Sequence, residues 1–199
     1  MRLWGPDHGL CCCVVIPEML CSERICIRPA KPEQLRAELG REYRVVFQAA
    51  MACEVMGDWP PLYWDAGAIK WLLTKAEEFP GEPLWTAWYV MLRGVGGGGR
   101  ELLVGTVGCK GPPIDEGPGR RVVEVGYGVV TSRWRRGIAS EAVGLFLGWL
   151  ASLGRATHVR AHTAPGDPAS AGVLRKNGFL LAGAAEEDGV VVDRWERAL

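Results

Sequence analysis

The 199-residue sequence has no surplus charge of either sign, because 23 Lys and Arg offset 23 Asp and Glu. Nucleic acid and anionic lipid draw on a basic surplus or a basic patch, so neither is expected as a partner. No apolar run approaches the roughly 18 to 20 residues that span a bilayer, so the reading is of a soluble, cytoplasmic protein without a membrane partner. The seven cysteines show no CxxC spacing, three of them stand together at positions 11–13, and their number is odd. Neither a disulfide framework nor a zinc site is therefore expected. Familiar phosphate fingerprints are also missing: there is no GxxxxGK[ST], and no GxGxxG opens a helix. Histidine is scarce, at three residues. His158 and His162 fall on one face of a strand but lack a third ligand nearby, and no metal is expected.

What the chain does have is 48% hydrophobic and 23% charged residues, the balance of one ordinary globular domain. Arg2 and the following LCCCVVI resemble the start of a secretory leader, but Pro17 and Glu18 cut the run short and no small-residue cleavage site follows. Residues 1–23 read as a poorly ordered extension and residues 24–199 as the domain.

RICIRPA alternates apolar and polar residues and stops at Pro29, which predicts a strand. Apolar spacing of 3.6 predicts helices over 33–39, 43–56 and, after an Asp65 cap, 65–78. Residues 84–92 and 102–109, rich in aromatic and β-branched residues, flank a GVGGGG tip and predict a hairpin. A strand over 122–130 leads to a helix over 139–153 that Gly154 stops, then a strand over 156–163. Asp167 and Pro168 open a helix that runs to Asn177. Residues 179–184 and 190–195 close the chain as a hairpin across Asp188 and Gly189. The order is that of a mixed α/β fold without internal repeats.

The chemistry concentrates where the 122–130 strand enters its helix, in VEVGYGVVTSRWRRGIASEA. A helix N-terminus presents free N–H groups and the positive end of the helix dipole, which suits a phosphate. Arg133, Arg135 and Arg136 add local positive charge, and Gly137 lets a backbone approach closely. A diphosphate is the natural guest, although the same string would also serve as a solvated basic turn.

These residues resemble the GNAT superfamily of N-acetyltransferases, in particular its RimJ/RimL ribosomal-protein alanine acetyltransferase type. In that family Q/R-x-x-G-x-G/A binds the acetyl-CoA pyrophosphate. Here Trp134, Arg135, Arg136, Gly137, Ile138 and Ala139 keep the glycine and the small residue, with Trp in the first place. VEVGYGVV resembles the type's fourth strand, and DPASAGVLRKNGF resembles its N-x-x-S-x-x-V-L-x-K-x-G-F signature. In the latter Ser170, Leu174, Lys176, Gly178 and Phe179 match, and Asp167 stands for Asn. VGTVGCKGPP and the DWPP turn extend the likeness, which covers residues 24–195.

The resemblance implies a central, mostly antiparallel mixed sheet of six or seven strands with helices on both faces and one splayed parallel pair. It implies acetyl-CoA as cosubstrate and direct transfer of acetyl to a primary amine, on a protein N-terminus or a small molecule. It places the cofactor against the turn from Arg135 through Ser140, with the main chain of Val129 and Val130 and the helix start at Asp167 and Ser170 along the pantetheine. Glu124 falls where the type carries its proposed base, and a carboxylate in an otherwise apolar strand suits that task; a salt-bridged strand residue would look the same. Ser170 falls where a hydroxyl protonates the leaving thiolate, though serine also caps helices. The other readings are a non-catalytic acyl-CoA-binding module and a generic phosphate-binding protein. The protein is expected to act as a monomer or homodimer.

Overall fold

The computed structural model describes residues 17–40, 43–78, 85–187 and 189–199. Residues 1–16 of the expected extension, the start of the 84–92 strand and Asp188 of the last turn lie outside them. The remainder of the extension is structured: β1 (Leu20–Cys21) pairs antiparallel with β2 (Ile25–Pro29), with Cys21 directly opposite Cys26. Those two cysteines form a disulfide, which corrects the expectation of none. Odd number and irregular spacing say nothing about residues that a tight hairpin brings face to face.

The helices α1 (Pro32–Glu38), α2 (Tyr43–Met51) and α3 (Ala66–Glu78) follow the strand as the periodicity predicts, except that α2 stops five residues early. Ala52 turns the chain with a φ of 52°, and β3 (Cys53–Val55) then runs parallel to β5 (Glu101–Cys109) with its outer two residues buried. A three-residue strand is too short for alternation to compete with the helical period on either side.

The hairpin partner of β5 is β4 (Ala87–Leu92), buried along its whole length. A two-residue strand β6 (Ile114–Asp115) precedes β7 (Arg121–Val129), and α4 (Ile138–Leu153) follows. β8 (His158–Thr163), α5 (Pro168–Lys176), β9 (Leu180–Glu187) and β10 (Val190–Ala198) complete the chain. The main sheet path is β1-β2-β4-β5-β7-β8-β10-β9, so the ten strands exceed the expected six or seven by the short pieces β1, β3 and β6.

The core sits where α4 lies on the sheet: Val143, Phe146, Leu147 and Leu150 are fully buried, and Trp88 of β4 stacks edge-on against Phe146 at 5.8 Å. Burial of a large side chain of this kind stabilises by about 1.5 to 3 kcal/mol. The site takes its position from one break in this sheet. β7 and β8 pair in parallel at three positions, Val122 with His158 through Glu124 with Arg160, and then diverge.

Candidate active site

An antiparallel ladder alternates residues that exchange hydrogen bonds with residues whose N–H and C=O point the other way. Lys110 N donates to Glu124 O at 2.9 Å and Val130 N to Val104 O at 2.9 Å, so the even-numbered residues of β7 face β5. Val125, Tyr127 and Val129 therefore present their backbone groups to the edge that β8 has left. That edge forms a wall of a cleft of about 560 Å³, lined also by the turn after β7 and the start of α5.

Val129 lines the cleft, and its carbonyl accepts from Trp134 Nε1 at 2.6 Å. Val130 does not. Its N–H is taken by Val104, its carbonyl by Arg133 N at 3.0 Å, and its side chain is fully buried. Tyr127, which also packs against the core, has the free strand edge in its place. Its hydroxyl donates to Ser170 O at 3.0 Å, and burial pushes the phenol well above its ordinary range. The signal was available in the strand's period of two, which puts Tyr127 and Val129 on one edge and excludes Val130.

The turn from Arg135 through Ser140 lines the same cleft, with Arg133 and Trp134 beside it. Arg135 and Gly137 have φ of 58° and 77°, and Gly137 is the N-cap of α4 with no side-chain cap. The leading N–H groups of a 16-residue helix thus point toward a cationic cleft, uncapped by any side chain. Two holders that sequence reasoning missed fix this turn from either side. Asp58 accepts from Thr131 Oγ1 at 3.0 Å, Ser132 N at 2.9 Å and Ser132 Oγ at 3.0 Å, and these bonds, the Ser132 amide first, hold its carboxyl below the usual range. From the β1–β2 hairpin, Arg24 donates to Arg136 O at 2.9 Å and pairs with Glu141 at 3.3 Å.

At the head of α5, Asp167 accepts from the amides of Ala169 at 2.9 Å and Ser170 at 3.2 Å, so it is the N-cap. Partial burial opposes its ionisation, but the hydrogen bonds from the Ser170 hydroxyl and the two amides keep its carboxyl below the ordinary value. Ser170 lines the cleft with its hydroxyl on Asp167, and the cap of the helix is Asp167 rather than Ser170 itself.

Glu124 lies outside the cleft lining and on the opposite face of the sheet. Side chains alternate along a strand, and Tyr127 reaches α5, so Glu124, Gly126 and Gly128 face the other way, where Pro61 packs on Gly128. Glu124 Oε1 lies 2.5 Å from Lys110 Nζ and 3.2 Å from His162 Nδ1. Lys110 also contacts Glu187, whose carboxylate is 3.5 Å from His162. Burial works against the Lys110 ammonium, but its bonds to Glu124 and Glu187 outweigh it and raise the lysine above its ordinary range. Glu124, His162 and Glu187 are close enough together to offer three ligand atoms, but the Lys110 ammonium is already paired with both carboxylates. Among the described residues the free cysteines are both buried; burial pushes the Cys53 thiol up to about 11 and Cys109 higher still, so neither is a ready thiolate.

A splayed parallel pair, an exposed strand edge and a cationic, uncapped helix start in one cleft define an acyl-carrier-dependent transferase of the kind the motifs resemble. The chain belongs to the acetyltransferase (GNAT) domain family, whose model matches residues 24–180. It is accordingly an enzyme of the N-acetyltransferase class. Among solved structures it is similar to the ribosomal-protein-S5-alanine acetyltransferase of Vibrio fischeri, at 19% identity over 90% of this chain and 96% of that one, with a TM-score of 0.60. The acetyltransferase of Salmonella typhimurium that modifies the N-terminal serine of 50S ribosomal subunit protein L7/L12 is 15% identical over 92% and 99%, with a TM-score of 0.61. Mycobacterium smegmatis RimJ, in complex with CoA-disulfide, is 17% identical over 87% and 81%, with a TM-score of 0.56. These neighbours agree with the RimJ/RimL resemblance. No curated protein matches the chain in sequence. Among the described residues no helix is long and apolar enough to cross a membrane.

Proposed function

We propose that the protein moves an acetyl group from acetyl-CoA directly to a primary amine, with the two substrates meeting through the splay from opposite faces of the sheet. The observation that carries this reading is the cleft itself, in which the β7 edge and the α4 N-terminus share one wall. The diphosphate suits the N–H groups of Ile138, Ala139 and Ser140 and the guanidinium groups of Arg135 and Arg136. The backbone groups of Tyr127 and the N–H of Val129, whose carbonyl is held by Trp134, suit the amides of the pantetheine, with Ser170 alongside.

The acceptor then approaches from the face that carries Glu124. An ammonium of pKa about 8 to 10 must lose a proton before its nitrogen can attack the thioester carbon, and Glu124 receives it directly or through water. The C–S bond breaks as the C–N bond forms. The thiolate takes a proton from the cleft side, where Ser170 and the strongly protonated Tyr127 hydroxyl stand.

Gly137→Asp places a carboxylate in the anion cradle at a backbone conformation that side chains resist, so acetyl-CoA affinity should fall at least about tenfold, or ~1.4 kcal/mol. Unchanged affinity by calorimetry in a folded variant would contradict the placement. The ion pairing of Glu124 is the one observation that favours a non-catalytic acyl-CoA-binding module. CoA release on mixing with free amines and peptide N-termini separates the two readings.

A further inference from the structure

A second cavity, of about 160 Å³, lies between α1, α3 and the turn that contains the cis Trp59–Pro60 bond. Its floor holds an unusual group. Glu38, only 9% exposed, accepts from Trp59 Nε1 at 2.8 Å, Trp64 Nε1 at 3.1 Å and the Tyr89 hydroxyl at 3.1 Å. All three partners are neutral donors, which is the arrangement an acceptor-only carboxylate requires. No Lys, Arg or His among the described residues pairs with Glu38, and burial raises its carboxyl against the pull of the three bonds. A buried carboxylate without a counter-charge costs several kcal/mol.

The walls say what would relieve that cost. Trp59, Trp64, Pro60 and Ile69 line the cavity, and Asp65 adds a second, exposed carboxylate at its side. Aromatic and apolar walls around acidic groups complement an organic cation. Hard metal ions want several oxygen ligands, whereas the lone pairs of Glu38 already take three donors. The volume is about five waters at ~30 Å³ each, the room needed by an alkylammonium head.

The cavity is also well placed. Leu62 and Tyr63 of the same turn line the large cleft, and Pro61 packs on Gly128 of β7, so one turn separates the two spaces. Tyr89, which donates to Glu38, lies across from Thr106, and Thr106 from Gly128, so the cavity sits on the face of the sheet that carries Glu124.

We propose that this cavity takes an organic ammonium group of the amine acceptor, so that preferred acceptors carry a second cation besides the amine that is acetylated. The assignment to the acceptor rests on the acetyl-transfer reading; the ammonium site itself does not.

The test titrates n-butylammonium into the ¹⁵N-labelled protein and follows the tryptophan indole N–H signals. Saturable shifts of Trp59 and Trp64 are expected, at least tenfold weaker for n-butanol, which has the length without the charge. Glu38→Gln should weaken the ammonium at least tenfold. Ala66→Phe, which fills the cavity mouth and leaves the bonds of Glu38 intact, should abolish binding even if the first variant folds poorly. In turnover, the ratio of kcat/KM for 1,4-diaminobutane over butylamine should fall at least tenfold in both variants while acetyl-CoA affinity stays put. No saturable shift in the wild type, equal affinity for butanol, or parallel loss for both amines overturns the proposal. Saturable binding with no turnover of any amine would keep the ammonium site and sink the transfer reading alone.

Discussion

Glu124 shows how one side chain's neighbours set its chemistry. The sequence made it conspicuous as the only acid in an apolar strand, and the structure gives it Lys110, His162 and, through Lys110, Glu187 for company. If it accepts the acceptor's proton, Glu124→Gln should lower turnover roughly 10²- to 10⁴-fold with acetyl-CoA affinity unchanged. Near-normal turnover at neutral pH would reduce Glu124 to a structural ion pair. Lys110→Met offers a finer check, because it removes the ammonium paired with Glu124: turnover should change while acetyl-CoA affinity stays the same, and unchanged turnover would mean that the pair plays no part in transfer. Lys110 was invisible in the sequence because its partners come from β7 and β9, 14 and 77 residues further along the chain.

At the scale of elements, the turn between β7 and α4 is held more firmly than its glycine and arginines suggest. Asp58 accepts three hydrogen bonds from Thr131 and Ser132, from a loop some seventy residues earlier. Asp58→Ala should leave the fold intact, since the carboxylate is exposed, yet weaken acetyl-CoA binding by about tenfold because an unpinned turn must be ordered on binding. Equal affinity in the variant would show that the turn holds its shape alone. Much of this level was legible: α4, α5 and the hairpins follow from periodicity and from punctuation such as Asp167-Pro168 and Gly154. What escaped was short or paired at long range. β3 was swallowed by a helical period, β1 by the expectation of a loose extension, and the Cys21–Cys26 bridge by arithmetic on cysteine number. The cofactor turn was readable because its chemistry is local, whereas the Glu38 cavity was not, since its walls come from two helices and a turn.

For the whole molecule, the carboxyls held by hydrogen bonds, three of them on β9, β10 and the loop before β7, set the response to acid. Hydrogen bonds from Arg160 come first for Glu116 and hold it below its usual range. In Glu196 and Glu187 partial burial opposes ionisation, but bonds from Arg160 and from Lys110 respectively prevail. With Asp58 and Asp167, five carboxyls are depressed in the folded state, so their stabilisation is present above the ordinary carboxylate range and is lost as pH falls through the lowered folded values. Glu38 has the opposite sign: its raised carboxyl stabilises on the acid side and loses that contribution as pH climbs through the raised value. Five against one predicts a melting temperature that drops below about pH 4.5. A rise in that range would mean that Glu38 governs.

The divergence of β7 from β8 also has a mechanical side. Within the sheet, among the described residues, strands β1 to β7 are fastened to β8, β9 and β10 by three residue pairs, a short seam at the narrow end of a wedge. A long molecule lying in the wedge, bonded to the β7 edge and touching α5, would bridge the two parts where the backbone does not. Backbone amides of Val125, Tyr127 and Val129 on one side, and of β8 beyond Arg160 on the other, should then exchange with deuterium more slowly once acetyl-CoA is bound, while β4, already closed on both sides, keeps its rates. The substrate would be, for as long as it is held, a missing strand of the protein that consumes it.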